Sequence, residues 1–453
     1  MTECNRDAMR FTHQGRRRVE ADFGGGRLVS DGGLLAIREV DQRTRFTATL
    51  AACLSDPRQP AKIQHEQSTM LAQRIHAIAA GYEDDNDHQT LREDPMLQLC
   101  AGIDPVEGAR LASPSTLSRL TNRITRRDCV AMHEVLVDQF IASFSEAPAE
   151  LILDFDSTDD PVHGKQEARF FHGYYDRYCY LPLYVFCGEE LLAAYLRPSN
   201  IDPSKHARAI LKLLVDKLRC AFPGVRIIFR GDSGFCRWKL MRWCDRHDVH
   251  YILGLARNKR LEAMSESFMQ AAEQDYESTG DKQRQFHAID YAAGTWDRPR
   301  NHPRKVIVKA ERLHEGPNLR FIVTNLPPEV GDAQRLYDEL YCARGEMENR
   351  IKEQQLGLFA DRTSSSTMLA NQFRLLLSSA AYVLIQTLRR VALAGTELAK
   401  AQVTTIRTKL IKIAARVIVS ARRVVLHLSS SCPLQPLFRQ LAHRLAKLHF
   451  DTG

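Results

Sequence analysis

Apolar residues recur every three or four positions through the first third of the chain. From about Gly32 to Ala147 this spacing, as in Leu71, Ile75 and Ile78, predicts amphipathic helices. From Leu151 onward the pattern changes to short apolar runs, which are typical of buried strands. Ahead of both, the glycine-rich stretch 22–33 lacks the Gly-Lys-Ser/Thr of a P-loop and predicts turns.

The strand-forming part has a definite order of elements. Three runs at hairpin spacing predict antiparallel strands, and a helix, a strand, a helix and a strand follow them. In order, the segments are Leu151–Thr158 (LILDFDST), Arg169–Asp176 (RFFHGYYD), Tyr180–Cys187 (YLPLYVFC), about Pro203–Ala221, Val225–Asp232 (VRIIFRGD), Arg237–Arg246 and His250–Leu255 (HYILGL). This order predicts an α/β RNase H-like core.

Three more β-rich runs between Arg284 and Leu326 predict an insertion into this core, and helical character returns at Asp332. The C-terminal part is mostly helical by pattern, although Val417–Leu428 fits a strand equally well. We therefore predict five regions. They are a helical N-terminal domain that binds DNA (1–148), the first part of the core (149–255), a β-rich insertion (256–326), the last core helix (327–365) and a mainly helical, basic C-terminal region (366–453).

Positive charge is concentrated at the C-terminus. The whole chain carries +8, but from Asn371 to Gly453 thirteen Lys and Arg face two acids, which gives +11 and leaves −3 for the remainder. This asymmetry indicates a polyanionic partner, and a solvated helical face is the equal alternative.

The longest apolar stretch, Leu375–Leu388, is too short to span a bilayer and predicts a buried helix. The N-terminus has no signal-peptide pattern, and the eleven cysteines are scattered without zinc-ligand spacing. We therefore expect a cytoplasmic protein without zinc or disulfides.

Three acids occupy positions that suit metal binding. Asp156 ends the first predicted strand and Asp232 ends the fourth, where side chains project past the edge of a sheet. Tyr341, Arg344 and Glu348 are spaced by three and four residues, so a helix would place them on one face. Each acid alone would more often be a cap or a solvated residue. Together they suit hard divalent ions, two of which can clamp the attacking and leaving oxygens of phosphodiester transfer.

The combination DST…RGDSGF…YxxRxxxE resembles the DDE transposases of bacterial insertion sequences, in particular those with a β-strand insertion and a Y-(2)-R-(3)-E signature. The stretches GYEDDNDHQTLREDP, SPSTLSRLTNR, LDFDSTDDPVHGKQE and FFHGYYDRYCYLPLYVFCG are similar to the family numbered thirteen-eighty. The resemblance covers nearly the whole chain. One position departs from the longer signature, because Gln355 stands where a Lys is expected, with Lys352 one turn earlier.

The resemblance implies a DNA transposase with an RNase H-like catalytic domain. It makes Asp156, Asp232 and Glu348 the metal-binding triad and adds Tyr341 and Arg344 as catalytic residues. The implied cofactor is Mg²⁺, expected as two ions and replaceable by Mn²⁺. The implied partners are double-stranded DNA, as the inverted-repeat ends of a mobile element and as its target, and further copies of the same chain. No membrane is implied.

Basic residues outside the triad are candidates for DNA contacts. The helix predicted between Ser113 and Ile124 exposes Arg119 and Arg123, whose side chains suit phosphates and base edges, although an ordinary amphipathic helix shows the same pattern. Lys352 could substitute for the missing Lys of the signature. In the basic C-terminal region, Arg422 and Arg423 are adjacent candidates.

Trp296 is a further candidate in the insertion. It ends a predicted strand and precedes Arg298, Arg300 and Arg304. In related transposases an aromatic residue of this insertion stacks on a flipped base, and an indole suits that contact. Packing of Trp296 onto the core is the equal alternative.

Two other functions remain open. Asp154 and Asp156 with the following Ser-Thr match the DxDxT pattern of haloacid-dehalogenase-type phosphatases, where Asp154 would be the nucleophile. That fold needs a second acidic pair, and only Asp232 is available. Asp154 and Asp156 point to the same face of a strand, so orientation does not distinguish them. Position favours Asp156 as the metal ligand, because it is nearer the end of the strand. The other alternative is a non-catalytic DNA-binding protein derived from a transposase.

Overall fold

The computed structural model describes residues 9–105, 107–296 and 302–448. The chain folds into two compact units. The terminal unit combines residues up to Thr47, Arg58–Ser118 and the chain from Thr387, and the central unit combines Ala48–Pro57 with Arg119–Gln386. The N-terminal and C-terminal segments, predicted as separate regions, therefore share one unit.

The elements before the main sheet are β1 (Met9–Gln14), β2 (Arg17–Ala21), β3 (Leu28–Val29), α1 (Leu34–Thr44), α2 (Phe46–Ala52), α3 (Gln67–Ala80), α4 (His88–Leu91), α5 (Pro95–Cys100), α6 (Pro114–Arg123) and α7 (Arg126–Ile141). Those of the main sheet region are β4 (Glu150–Ser157), β5 (Asp160–Pro161), β6 (Phe170–His172), β7 (Arg177–Tyr180), β8 (Leu183–Cys187), β9 (Glu190–Tyr195), α8 (Ala207–Ala221), β10 (Arg226–Gly231), α9 (Trp238–Arg246), β11 (His250–Leu255), α10 (Lys259–Met264), α11 (Glu266–Thr279), β12 (Gln283–Tyr291), β13 (Arg304–Leu313) and β14 (Gly316–Thr324). The remainder contains α12 (Ala333–Arg335), α13 (Gly345–Lys352), α14 (Met368–Leu388), α15 (Val403–Ile406), β15 (Ala415–Ser420), β16 (Arg423–Leu428) and α16 (Gln435–Ala446).

The two ends of the chain pair inside the terminal unit. Strand β3 pairs antiparallel with β15, and the amide of Gly33 donates to the carbonyl of Ile411 at 3.1 Å. A Cβ at Gly33 would lie 1.8 Å from the carbonyl oxygen of Leu410, so only glycine fits there. The stretch 22–33, predicted as turns, thus also contains the point where the two backbones meet.

An eight-stranded mixed sheet forms the middle of the central unit. Its order is β12-β13-β14-β11-β10-β4-β8-β9, with β4, β10 and β11 parallel to one another. β8 and β9 continue from β4 as antiparallel neighbours. Three antiparallel strands, here β4, β8 and β9, are therefore followed by a helix, a strand, a helix and a strand. Buried side chains cover both faces of this sheet.

One detail of the predicted fold is wrong. The run Arg169–Asp176 contributes β6 to a separate sheet of β5, β6 and β7, and the third antiparallel strand is β9. Phe170 and Phe171 are exposed, so these aromatic side chains are not part of the hydrophobic core. The insertion extends the main sheet, because β14 pairs with β11. The run Val417–Leu428, which fitted a helix and a strand equally well by pattern, contributes to strands β15 and β16.

The predicted buried helix around 375–388 is confirmed as α14. Among the described residues, Met368–Leu393 is the one helical stretch whose length and composition would allow a membrane crossing, and 89% of its most apolar window is buried. Within the central unit, Gln372 accepts a hydrogen bond from the amide of Leu196 at 2.7 Å and donates to the carbonyl of Ala194 at 2.9 Å. These bonds attach α14 to the edge strand β9.

Candidate active site

Asp156 and Asp232 lie side by side at the carboxyl ends of two neighbouring parallel strands. Gly231 of β10 pairs with Phe155 of β4, so the next residue on each strand is one of the two acids. Neighbouring strands are about 4.8 Å apart, which brings the two carboxylates to one edge of the sheet. One oxygen of Asp232 accepts from the amide of Gly234 at 2.9 Å and caps a short 3₁₀ turn.

Asp156 is held in a strongly perturbed electrostatic environment. Burial raises the pKa of Asp156 to about 6, and the charges of Asp232 and Glu348 act in the same direction, whereas Arg344 opposes them. The guanidinium of Arg344 donates to a carboxylate oxygen of Asp156 at 3.2 Å, and the amide of Ser157 donates to the other at 2.9 Å. The site therefore concentrates negative charge that a single cationic side chain only partly offsets.

Tyr341 and Arg344 approach this edge from an irregular helix. A π-helical segment, Leu336–Tyr341, precedes a 3₁₀ segment, Cys342–Arg344, before regular helix α13 begins. Asp156 and Tyr341 together raise the pKa of Arg344 against the opposing effect of its burial. Departures from regular helix occur frequently at functional sites.

Gly254 of β11 makes room for Tyr341. A Cβ at Gly254 would lie 2.6 Å from the Tyr341 hydroxyl and 2.8 Å from the amide nitrogen of Ser233. Any side chain there would displace either the tyrosine or the turn that follows Asp232. The sequence pattern did not identify Gly254 as part of the site, because its one distinguishing feature is a glycine inside an otherwise buried strand.

Glu348 lies on the same helical segment but is directed toward solvent. Its carboxylate accepts from the Lys352 ammonium at 2.7 Å, and this hydrogen bond lowers the pKa of Glu348. The expected common face of Tyr341, Arg344 and Glu348 is thus only partly formed, because π and 3₁₀ turns change the angular spacing of residues. Across the described parts of the chain, no three His, Cys, Asp or Glu side chains converge into a metal-binding group.

Asp154 forms a buried ion pair with Arg230. Its two carboxylate oxygens accept from Arg230, one of them from Nη2 at 2.7 Å, and both side chains are buried. The remaining terminal nitrogen of Arg230 donates to the carbonyl of Leu340, next to Tyr341. Asp154 and Asp156 therefore differ in environment, and the buried ion pair disfavours the nucleophilic role of Asp154 in the phosphatase alternative. No sequence motif indicates this role of Arg230.

A second buried arginine, also missed, supports the end of β4. Arg197 is fully buried and donates to the hydroxyl of Ser157 at 2.7 Å, directly after Asp156. It also donates to the carbonyls of Leu181, Pro203 and Lys205. These bonds fix the loop beside the acids, and the sequence gives no signal for them because the partners are backbone groups far apart in the chain.

Trp296 lies in the hydrophobic core. Only 5% of it is exposed, and its ring packs edge-on against Tyr291 with ring centroids 5.5 Å apart. This is the packing alternative, and the ring is not accessible to a base. Of the basic residues that follow, Arg304 binds Asp245 at 2.7 Å, and Arg298 and Arg300 lie outside the described residues.

The other DNA-binding candidates fall into two groups. Arg119 on α6 and Arg422 and Arg423 at the turn between β15 and β16 are exposed. Arg123 is half-buried within 3.7 Å of Asp56, and Lys352 is paired with Glu348. Of these residues, Lys352 contacts one of the candidate acids, Glu348.

Several cations of the basic C-terminal region are used inside the terminal unit. Arg407 donates to the carbonyl of Ala79 at 3.0 Å, Lys412 binds Asp31 at 2.7 Å, and Arg444 donates to the carbonyl of Ala394 at 2.6 Å. The local excess of +11 therefore overstates the charge available to a partner.

The model of the family described as transposase DDE domain group 1 matches residues 11–450. The chain belongs to this family. Among solved structures it is similar to the piggyBac transposase in a synaptic complex with hairpin DNA, at 10% identity and a TM-score of 0.40, over 84% of this chain and 80% of that one. A search of curated proteins finds no match.

DDE transposases typically use divalent metal ions, and the residues of this transposase fit such a group in part. Asp156 and Asp232 offer adjacent carboxylate oxygens, which hard cations prefer. The raised pKa of Asp156 reflects burial among like charges that a cation would relieve. Glu348 could join them only by leaving Lys352, since its carboxylate is exposed and paired there.

Proposed function

We propose that this transposase cleaves and joins DNA at the ends of a mobile element with Asp156, Asp232 and Glu348 as the residues that hold two Mg²⁺ ions. The observation that carries the proposal is the register of β4 and β10, which brings two acids to one sheet edge beside Arg344 and Tyr341. Metal ions held there would stabilise the attacking and leaving oxygens of phosphodiester transfer.

The side chains around the acids have separate roles in this proposal. Arg344 forms an ion pair with Asp156 and can turn to a DNA phosphate, which a guanidinium contacts well. Tyr341 fills the space above Gly254 and holds the irregular helix against the strand ends. Glu348 pairs with Lys352 at the surface, so Glu348 would turn toward Asp156 when the active form assembles.

The finer family assignment and the partners belong to the same proposal. The quoted motifs support membership of the insertion-sequence family numbered thirteen-eighty. The substrate is double-stranded DNA, both as inverted-repeat ends and as target. At least two copies of the chain act together, because two element ends must be joined in one reaction. The protein acts in the cytoplasm on the bacterial nucleoid.

Two glutamates of α13 provide a matched test. Glu346 and Glu348 are both exposed, and each forms an ion pair four residues along the helix, with Arg350 and Lys352 respectively. Glu348→Ala should abolish Mg²⁺-dependent cleavage of a duplex that carries the element end, a loss of at least about 10³-fold. Glu346→Ala should retain wild-type cleavage, with unchanged thermal unfolding in both variants.

Three outcomes of this test contradict the proposal. Cleavage by Glu348→Ala would remove this residue from the triad. Equal loss in both glutamate variants would show that α13, and not one carboxylate, is required. Wild-type protein that binds the duplex but cleaves nothing with Mg²⁺ or Mn²⁺ would establish the non-catalytic alternative.

A further inference from the structure

Strands β1 and β2 form a separate two-stranded hairpin. Every residue of both strands is exposed, including Phe11 at 55%. An isolated two-stranded hairpin is at best marginally stable in water. A hairpin of this kind therefore points to a partner that covers it.

The two faces of the hairpin have different chemistry. Met9 pairs with Ala21 and Phe11 pairs with Val19, so one face is apolar. On the opposite face Arg10 pairs with Glu20, and their side chains are 3.5 Å apart. The apolar side chains of this face, Met9, Phe11 and Val19, are all exposed.

Positive charge is concentrated at the turn and at the start of β2. Gly15 adopts a φ of +60° there, and Arg16, Arg17 and Arg18 follow consecutively. No ion pair joins these three arginines to any described residue. From Met9 to Ala21 the hairpin has four arginines and one acid, a net charge of +3.

We propose that the β1–β2 hairpin inserts into a groove of duplex DNA, with Arg16, Arg17 and Arg18 on the phosphates. A two-stranded β-ribbon fits the major groove, which is about 12 Å wide. Arginines reach the phosphates on its walls, while the apolar face can contact thymine methyl groups. The charge complementarity of the turn favours DNA over a second copy of this chain, which would bring two arginine triplets into the same assembly. The inference rests on the proposed function for the presence of DNA and adds an element that holds it.

A charge-matched pair of variants tests the hairpin in the full-length chain. The hairpin variant is Arg16→Gln/Arg17→Gln/Arg18→Gln. The control variant is Arg208→Gln/Lys212→Gln/Arg246→Gln, which removes the same charge from exposed positions of α8 and α9. All six side chains are exposed, so both variants should keep the wild-type unfolding temperature.

The measured quantity is the slope of log affinity against log salt for a labelled random-sequence duplex. Each lost phosphate contact reduces the slope by about 0.9, so the hairpin variant should have a slope shallower by roughly 2 to 3. The control should keep the wild-type slope. Equal slopes for both variants, or no binding of the duplex by the wild type, would overturn the proposal.

Phe11→Ser/Val19→Ser separates DNA from a second copy as the occupant. If this variant converts a dimer into a monomer without DNA, and the arginine variant keeps the wild-type slope, the hairpin binds another copy and the proposal is wrong. Cleavage by the same proteins separates this inference from the proposed function. A shallower slope without any Mg²⁺-dependent cleavage would contradict only the proposed function, and normal cleavage with unchanged slopes would contradict only the hairpin.

Discussion

Arg230 and Asp154 form a buried two-point ion pair that joins the two strands carrying the candidate metal ligands. The guanidinium of Arg230 also donates to the carbonyl of Leu340, so one side chain links β10, β4 and the segment that leads to Tyr341. Two residues beyond Asp154, Asp156 faces Arg344 at the sheet edge. The two acids of β4 therefore differ in their surroundings. Asp154 belongs to a buried ion pair, and Asp156 lies in the candidate site.

Conservative substitution of the two acids should separate these roles. Asp154→Asn leaves the Arg230 charge buried without a counter-charge and should lower the free energy of unfolding by about 3–5 kcal/mol. Cleavage should persist under conditions where this variant is folded. Asp156→Asn should abolish cleavage and change the free energy of unfolding by less than about 1 kcal/mol. Urea unfolding and Mg²⁺-dependent cleavage measured on both variants give the comparison, and loss of cleavage without loss of stability in Asp154→Asn would contradict the structural role of Asp154.

Asp160 should make the stability of the protein depend on pH. It is buried, neither carboxylate oxygen has a hydrogen-bond partner among the described residues, and burial with the nearby charges of Asp361 and Asp159 raises its pKa well above the usual range. The unfolded chain releases this proton near pH 4 while the folded chain retains it. Stability should therefore fall as pH rises from about 4 toward the folded pKa.

The isosteric variant Asp160→Asn has no proton to lose and should not show this decrease. At pH 8 it should be more stable than the wild type by on the order of 1–3 kcal/mol, with a smaller difference at pH 4. Urea unfolding at the two pH values measures both quantities. A parallel pH dependence in the two proteins would show that Asp160 is not the responsible group.

Trp296→Ala should act on stability and not on a particular step of the reaction. The buried indole packs against Tyr291, and removal of a core tryptophan costs about 3–5 kcal/mol. Trp296→Phe should restore most of the stability and all of the activity. Nicking and strand transfer should fall together in the alanine variant, in proportion to the folded fraction. Selective loss of a later step, with normal stability, would instead support base stacking.

Charge reversal at the turn between β15 and β16 should weaken DNA binding. Arg422 and Arg423 are exposed, so Arg422→Glu/Arg423→Glu should reduce the salt slope by about 2 and leave thermal unfolding unchanged. Deletion of the C-terminal region is a poor test, because β15 pairs with β3 and its loss would unfold the terminal unit. An unaltered slope would limit the basic C-terminal region to a folding role.

The sequence predicted the positions of Asp156 and Asp232 because their signal is local. Each acid directly follows a short apolar run, and the end of a buried strand can be recognised without knowledge of its neighbours. The Arg230–Asp154 pair required the parallel register of β4 with β10, which depends on tertiary packing and has no local signature. For the same reason Arg197, whose partners are distant backbone carbonyls, was not identified.

Two other differences arise from burial. Arg169–Asp176 has the composition of a core strand, but its aromatic residues are exposed on a small separate sheet. For Trp296 the sequence left base stacking and packing onto the core equally open, and tertiary contacts bury the ring. The direction of Glu348 depends on the π and 3₁₀ segments before α13, and three- and four-residue spacing assumes a regular helix.

The close contact of Gly33 with the backbone at Leu410 and Ile411 determines the order in which parts of the chain can fold during translation. These contacts join residues nearly 380 positions apart, so the terminal unit cannot close until the ribosome has made the chain beyond Ile411. At translation speeds of 5–20 residues per second, that delay is on the order of tens of seconds. During this interval the acids of β4 and β10 have already emerged. A truncated product would therefore contain the candidate catalytic strands but not the closed terminal unit.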